Sequence, residues 1–166
     1  SAASDVYKRQ AWNSLVEMDS YGHDVEAGWL LCEAARVLED RQLMDRANRL
    51  ALDVTDACLV EGLSDKGYMM YEKKGGRTTG HASWWGQIET MIACVNAWQI
   101  SGNDVYLQSA DTVWTFVKDC MIDREYGEWY SDCFDGEPKK DTPKVSMWRC
   151  PYHTVRLGVE IHNRLK

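Results

Sequence analysis

Apolar positions recur along most of the chain with helical spacing. After Met18-Asp19-Ser20 come Val25, Trp29, Cys32, Ala35 and Leu38, three or four apart, as one stripe of a helix requires. A second stripe follows at once (Leu43, Ala47, Leu50, Val54, Ala57, Cys58) and stops at Glu61-Gly62, where glycine suits a helix C-terminus. A third helix is expected from about Ser83 to Ile100, carrying Trp85, Ile88, Ile92, Val95 and Trp98. Ser101-Gly102-Asn103-Asp104 breaks it, and a fourth places Val105, Val113, Val117 and Cys120 on one side. Pro151 suits the first turn of a fifth, because its missing N–H would have no partner there anyway, and that helix runs to the C-terminus.

Two longer polar stretches interrupt this pattern. Residues 62–80 are Gly-rich and hold Tyr68-Met69-Met70-Tyr71 ahead of Lys73-Lys74-Gly75-Gly76, which reads as a short strand or hairpin. Residues 122–148 are irregular and hold Gly127, Gly136, Pro138 and Pro143. Short connections join the first helix to the second and the third to the fourth, while long ones precede the third and fifth. The expectation is an all-α fold of antiparallel pairs, one helix inner and one outer, as in an α/α toroid with short β-hairpin-like loops. An ordinary helical bundle is the alternative; the polar, aromatic-rich loop ends favour the toroid, whose loops wall a central cavity.

Composition narrows the class. At 166 residues, 45% hydrophobic and 27% charged, the chain fits one globular domain. No run of 18 apolar residues exists to span a membrane, and no basic n-region with an apolar h-region opens the chain as a secretory signal. The net charge of -7 and pI near 5.1 argue against nucleic acid, which selects a basic stripe. The six cysteines (Cys32, Cys58, Cys94, Cys120, Cys133, Cys150) show no close pairs, which argues against zinc, and read as reduced thiols of a cytoplasmic protein. Ser1–Gln10 has neither periodicity nor a recognisable start and reads as a non-native leader, leaving residues 11–166 as the domain. Eight tryptophans beside two phenylalanines remain to be explained.

The candidate chemistry lies at helix starts. Tyr21-Gly22-His23-Asp24-Val25-Glu26 opens the first helix, with His23 and Glu26 on one face; Trp84-Trp85-Gly86-Gln87-Ile88-Glu89 opens the third, with Trp85 and Glu89 on one face; Trp148-Arg149-Cys150-Pro151-Tyr152-His153 opens the fifth. If these alternate helices form the inner ring, all three clusters open onto one end of one cavity. Helix N-termini keep a nearby histidine neutral and stabilise a developing oxyanion. Two histidines flanking a small substrate suit proton abstraction and return, carboxylates orient a histidine or bind hydroxyls, and indole faces stack on sugar rings. The plainer reading of each residue is a capping or surface histidine, core tryptophans and solvated first-turn carboxylates. His23 with Glu26 makes at most half a metal site, and His81 and His162 read as incidental.

The stretches Tyr21–Ala35, Trp84–Trp98, Gly127–Pro138 and Trp148–Arg156 resemble the N-acylglucosamine 2-epimerase superfamily, in particular its cellobiose 2-epimerase branch. The His-Asp-x-Glu-Ala and Trp-x-Cys-Pro-Tyr-His elements carry most of that resemblance. It implies an (α/α)6 barrel in which His23 and His153 act as general acid and base at C2 of a sugar. It also implies that Glu26 assists, that Trp85 and Glu89 contact substrate, and that Trp148 is a stacking platform. The implied reaction opens the reducing-end glucose of a β-1,4 disaccharide and inverts C2 through a cis-enediolate, with a small-molecule disaccharide as partner and no metal or nucleotide cofactor. An aldose–ketose isomerase, a hydrolase using Glu26 and Glu89, and a non-catalytic sugar-binding piece are the competing readings. Scaling five helices to twelve gives roughly 370 residues for a whole barrel, so the chain reads as the C-terminal part of one, inactive by itself.

Overall fold

The computed structural model describes residues 17–166. Ser1–Gln10, expected to be a non-native leader, and Trp12 lie outside the described residues. Five α-helices run α1 (Tyr21–Val37), α2 (Arg41–Gly62), α3 (Trp84–Ser101), α4 (Val105–Phe116) and α5 (Tyr152–Arg164). Helices α1, α3 and α5 stand side by side with α3 in the middle; α2 packs on α1 and α3, and α4 packs on α3. The alternation expected from the loop lengths is therefore the layering observed.

Local chemistry sets the helix ends. Asp40 accepts from the backbone N–H groups of Gln42 and Leu43 and so caps α2. Ser83 does the same for α3 through Gly86 N–H. Gly102 ends α3 at φ 70°, a left-handed conformation that costs glycine little. The fourth helix stops at Phe116 rather than Cys120, because Val117–Met121 widens into a π-turn.

Six short strands carry the long connections, β1 (Met18–Asp19), β2 (Glu72–Lys74), β3 (Arg77–Thr79), β4 (His81–Ser83), β5 (Asp132–Phe134) and β6 (Glu137–Pro138). They form two antiparallel three-stranded sheets, β1-β2-β3 and β4-β5-β6. The expected hairpin in 62–80 is β2–β3, turning on Gly75-Gly76. The stretch expected to be irregular holds β5–β6, and β5 pairs with β4, His81 opposite Phe134. The connection leading into α3 is thereby tied to the one leading into α5, which holds two of the three helix starts at the same end.

Helix α3 is buried continuously from Gly86 to Ala97. Its polar residues therefore sit in the core and each finds a partner, as buried polar groups must. Gln87 accepts from Met69 N–H and donates to the carbonyls of Met69 and Ser83, docking the 68–70 segment. Thr90 donates to Gly86 O. Gly22 sits tight against the start of α3: a Cβ there would lie 2.6 Å from Trp85 Cζ3. The six cysteines are all free, and burial pushes the thiols of Cys58, Cys94 and Cys133 up to about 12, so they pack as small apolar groups. No helix among the described residues is long and apolar enough to cross a membrane.

Candidate active site

The first turns of α1, α3 and α5 meet. The Trp85 ring neighbours both candidate histidines, its centroid 4.4 Å from His23 and 6.0 Å from His153. His23 is exposed, and its Nδ1 lies 2.7 Å from Ser20 Oγ, the residue preceding α1. His153 is buried between Trp84, which meets it edge-on at 6.2 Å, and Tyr152, whose centroid is 3.9 Å away. Its Nδ1 lies 2.6 Å from Glu89 Oε1. An ionised carboxylate can only accept, so this contact is satisfied with a proton on Nδ1, and Nε2 is the ring nitrogen turned away from Glu89.

Glu89 is fully buried, at 0% exposure. It is no solvated first-turn carboxylate. Its Oε2 accepts from Trp29 Nε1 at 2.9 Å, and its Oε1 accepts from Arg156 Nη1 at 3.0 Å as well as facing His153. The same Arg156 nitrogen donates to Glu26 Oε1 at 2.6 Å. Glu26 is half-buried beside it. A continuous chain runs Glu26–Arg156–Glu89–His153, with Trp29 as a side branch. Burial opposes the charge on Arg156, but hydrogen bonding to Glu26 and the field of Glu89 outweigh it and raise the guanidinium's pKa.

Glu26, Glu89 and His153 bring donor atoms of metal-ligating type within 4.8 Å of one another. Those atoms are already engaged: the cation between the carboxylates is Arg156, and the imidazole Nδ1 faces Glu89. The set is organised as a hydrogen-bonded relay.

Of the six residues singled out from the sequence, His23, Glu26, Trp85, Glu89 and His153 fall in this one cluster. Trp148 does not join it; its side chain is 80% exposed. Two participants escaped the sequence reading. Trp29 shows in the sequence only as one position of the first apolar stripe, yet its indole N–H holds Glu89. Arg156 was quoted only as the end of a motif; the signal was its position three residues after His153 on a helix, which puts both on one face. His81 also differs from expectation. It lies in β4, stacked between Tyr71 at 4.6 Å and Phe134 at 5.1 Å, and burial lowers its pKa. Arg149 of the third cluster is buried under Trp84, its guanidinium 4.8 Å from that ring, and donates to Ser131 Oγ and the Trp129 carbonyl. It braces the segment before α5.

Paired helices in two layers, with a cluster of histidines and carboxylates at one end of the inner layer, define an arc of an (α/α)6 barrel. The profile of the N-acylglucosamine 2-epimerase (GlcNAc 2-epimerase) family matches residues 7–156, and the chain belongs to that family. It is 39% identical over 155 residues to the cellobiose 2-epimerase of Bacteroides fragilis, covering 90% of this chain and 39% of that protein. It is 36% identical over 164 residues to the cellobiose 2-epimerase of Ruminococcus albus, covering 98% and 42%. The chain thus spans about two fifths of the length of the curated relatives it matches. Among solved structures, a sugar epimerase from a ruminal bacterium superposes with a TM-score of 0.87 at 35% identity, over 93% of this chain and 40% of that one. The cellobiose 2-epimerase of Bacillus thermoamylovorans superposes with a TM-score of 0.81 at 34% identity, over 92% and 39%.

Proposed function

We propose that this chain carries part of the catalytic site of a disaccharide 2-epimerase. The substrate is a β-1,4 disaccharide of cellobiose type, and the product has mannose at the reducing end. Residues 11–166 supply the C-terminal part of a single (α/α)6 domain, and activity requires the remaining helices. The cellobiose 2-epimerases among the relatives support the substrate class, since the chain matches them over nearly all its length. The observation that carries the chemistry is the pair of histidines around Trp85, one of them locked through Nδ1 onto a buried carboxylate.

In this reading the reducing-end sugar opens and its C2 lies between His23 and His153. One histidine removes the C2 proton, giving a cis-enediolate, and the other delivers a proton to the opposite face. His153 suits the exchange because Glu89 fixes its tautomer and stabilises the imidazolium when it forms. Glu26, held by Arg156, assists from the same helix as His23. Trp85 offers a flat surface to the sugar carbons, and Trp148, exposed beside the helix start, is the candidate platform for the second ring. The hydrolase reading is disfavoured by Glu89 itself, which accepts three donors and has no role left as a proton donor to a leaving group.

Incubating the full-length protein with cellobiose in deuterated water tests the proposal. The expected product is the C2 epimer with deuterium at C2, and His23→Ala and His153→Ala each reduce turnover on the order of 10³-fold. A ketose product would assign the aldose–ketose isomerase reading, cleavage of the glycosidic bond the hydrolase reading, and binding without C2 exchange a sugar-binding role.

A further inference from the structure

Arg156 presents one nitrogen, Nη1, to two carboxylates, at 2.6 Å from Glu26 Oε1 and 3.0 Å from Glu89 Oε1. Those two acids come from different helices, α1 and α3, and Arg156 from a third, α5. Carboxylates this close repel unless a cation stands between them. The guanidinium is itself braced, 5.6 Å from the centroid of Trp29 and 5.9 Å from that of Tyr152. Glu89 Oε1 is the atom shared by Arg156 and His153, so whatever fixes that oxygen fixes the imidazole.

We propose that Arg156 is a positioning residue for the acid–base step: by bridging Glu26 and Glu89 through a single nitrogen it holds Glu89 against Nδ1 of His153 and assigns Nε2 to the substrate. The role rests on the epimerase reading above. It makes the two carboxylates, Glu26 on α1 and Glu89 beside His153, one electrostatic unit. The charged and titratable groups facing it are Glu26 from α1, Glu89 from α3, and Tyr152 and His153 from α5. Because one nitrogen makes both contacts, a lysine ammonium should replace the function in part, whereas a neutral amide should not.

The experiment compares Arg156→Gln and Arg156→Lys in the full-length protein by steady-state kinetics on cellobiose and by ¹⁵N NMR of the histidine rings. For Arg156→Gln, kcat falls on the order of 10²-fold while KM stays within about threefold. The His153 ring signals lose the Nδ1–H tautomer signature. Arg156→Lys restores that signature and part of kcat. Ring signals for His153 in Arg156→Gln that match the unsubstituted protein, or an unchanged kcat, overturn the proposal. So does a lost kcat with the tautomer signature intact, which would make Arg156 a mere packing or substrate contact. Should the glutamine variant not fold, the lysine variant decides: a retained signature with intermediate kcat supports the role, and a retained signature with turnover as low as His153→Ala overturns it. If the unsubstituted protein shows no C2 exchange while Arg156→Gln still alters the His153 signals, the epimerase reading falls and the positioning of His153 by Arg156 stands.

Discussion

Helix α5 carries two arginines two turns apart, and each crosses to α1 and α3, but the two ends they tie together differ in kind. At one end Arg156 links Glu26 and Glu89, and through Glu89 reaches His153. At the other, Arg164 is buried with every guanidinium nitrogen engaged: Nη1 on Asn96 and Gln99, Nη2 on Glu33 and Nε on Glu160. Trp29 lies between the two ends, 5.6 Å from one guanidinium and 5.8 Å from the other. The same device, a cation spanning three inner helices, closes one end and leaves the other with an imidazole nitrogen free to act. The difference teaches that the arginine bridge is a shared bracing device, and that only the end holding His153 pairs it with an imidazole.

Substitutions at four positions probe this contrast, in descending order of effect. Glu89→Ala leaves Arg156, Trp29 and His153 without their common acceptor. The expected loss is about 3–5 kcal/mol of stability, the usual consequence of removing one partner of a buried ion pair. Urea unfolding measures it; Glu89→Gln, which keeps the shape, should spare much of the stability and still abolish turnover. Arg164→Met should cost about 3 kcal/mol, because Glu33 and Glu160 are partly open to water and Asn96 is not. The His153 ring signals should remain unchanged. An altered tautomer in that variant would break the claim that the two ends are separate. Gly22→Ala forces a methyl against Trp85 and should cost about 1–3 kcal/mol, as overpacking does, with a fall in kcat as the indole shifts. Trp148→Ala should change stability by less than about 0.5 kcal/mol, as an exposed site, and raise KM for a disaccharide while leaving kcat near its value.

A pH test sharpens the picture of the loop before α5. The Asp123 carboxyl is held well below the usual carboxylate range by Lys144, with backbone N–H groups of Tyr126 and Glu125 adding to the effect. Its folded value is depressed relative to the unfolded chain. The stabilisation is therefore present above the unfolded value of about 3.9 and is lost as pH falls through the folded one. Acid titration followed by tryptophan fluorescence should show this segment loosening at higher pH in Lys144→Met than in the unsubstituted protein.

How much was legible beforehand follows from what kind of force wrote each feature. Helical stripes and the Gly75-Gly76 turn are local, so spacing and residue type reveal them. The clusters at the starts of α1, α3 and α5 were legible for the same reason: each is a short motif at a helix end. Trp29 was hidden because a buried indole that packs and one that donates to a carboxylate have the same periodicity. Glu89 was ambiguous because a glutamate near a helix start at a surface and one in a core look alike in sequence. Helix α3 is apolar nearly all round, with Glu89 its single charged residue, which marks a buried helix; which elements cover it only packing decides.

The sequence by itself determined the helices, their pairing through short connections and the residue types gathered at alternate helix starts. These depend on backbone geometry within a few residues. Tertiary structure alone decided that Glu26, Glu89, Arg156 and His153 form one relay, because its members come from three helices as far as 130 residues apart in the chain. It also decided that Trp148 stands off in solvent and that Arg164 seals the far end. Burial and ion pairing are properties of where elements meet, and packing sets that meeting through contacts that no single segment contains.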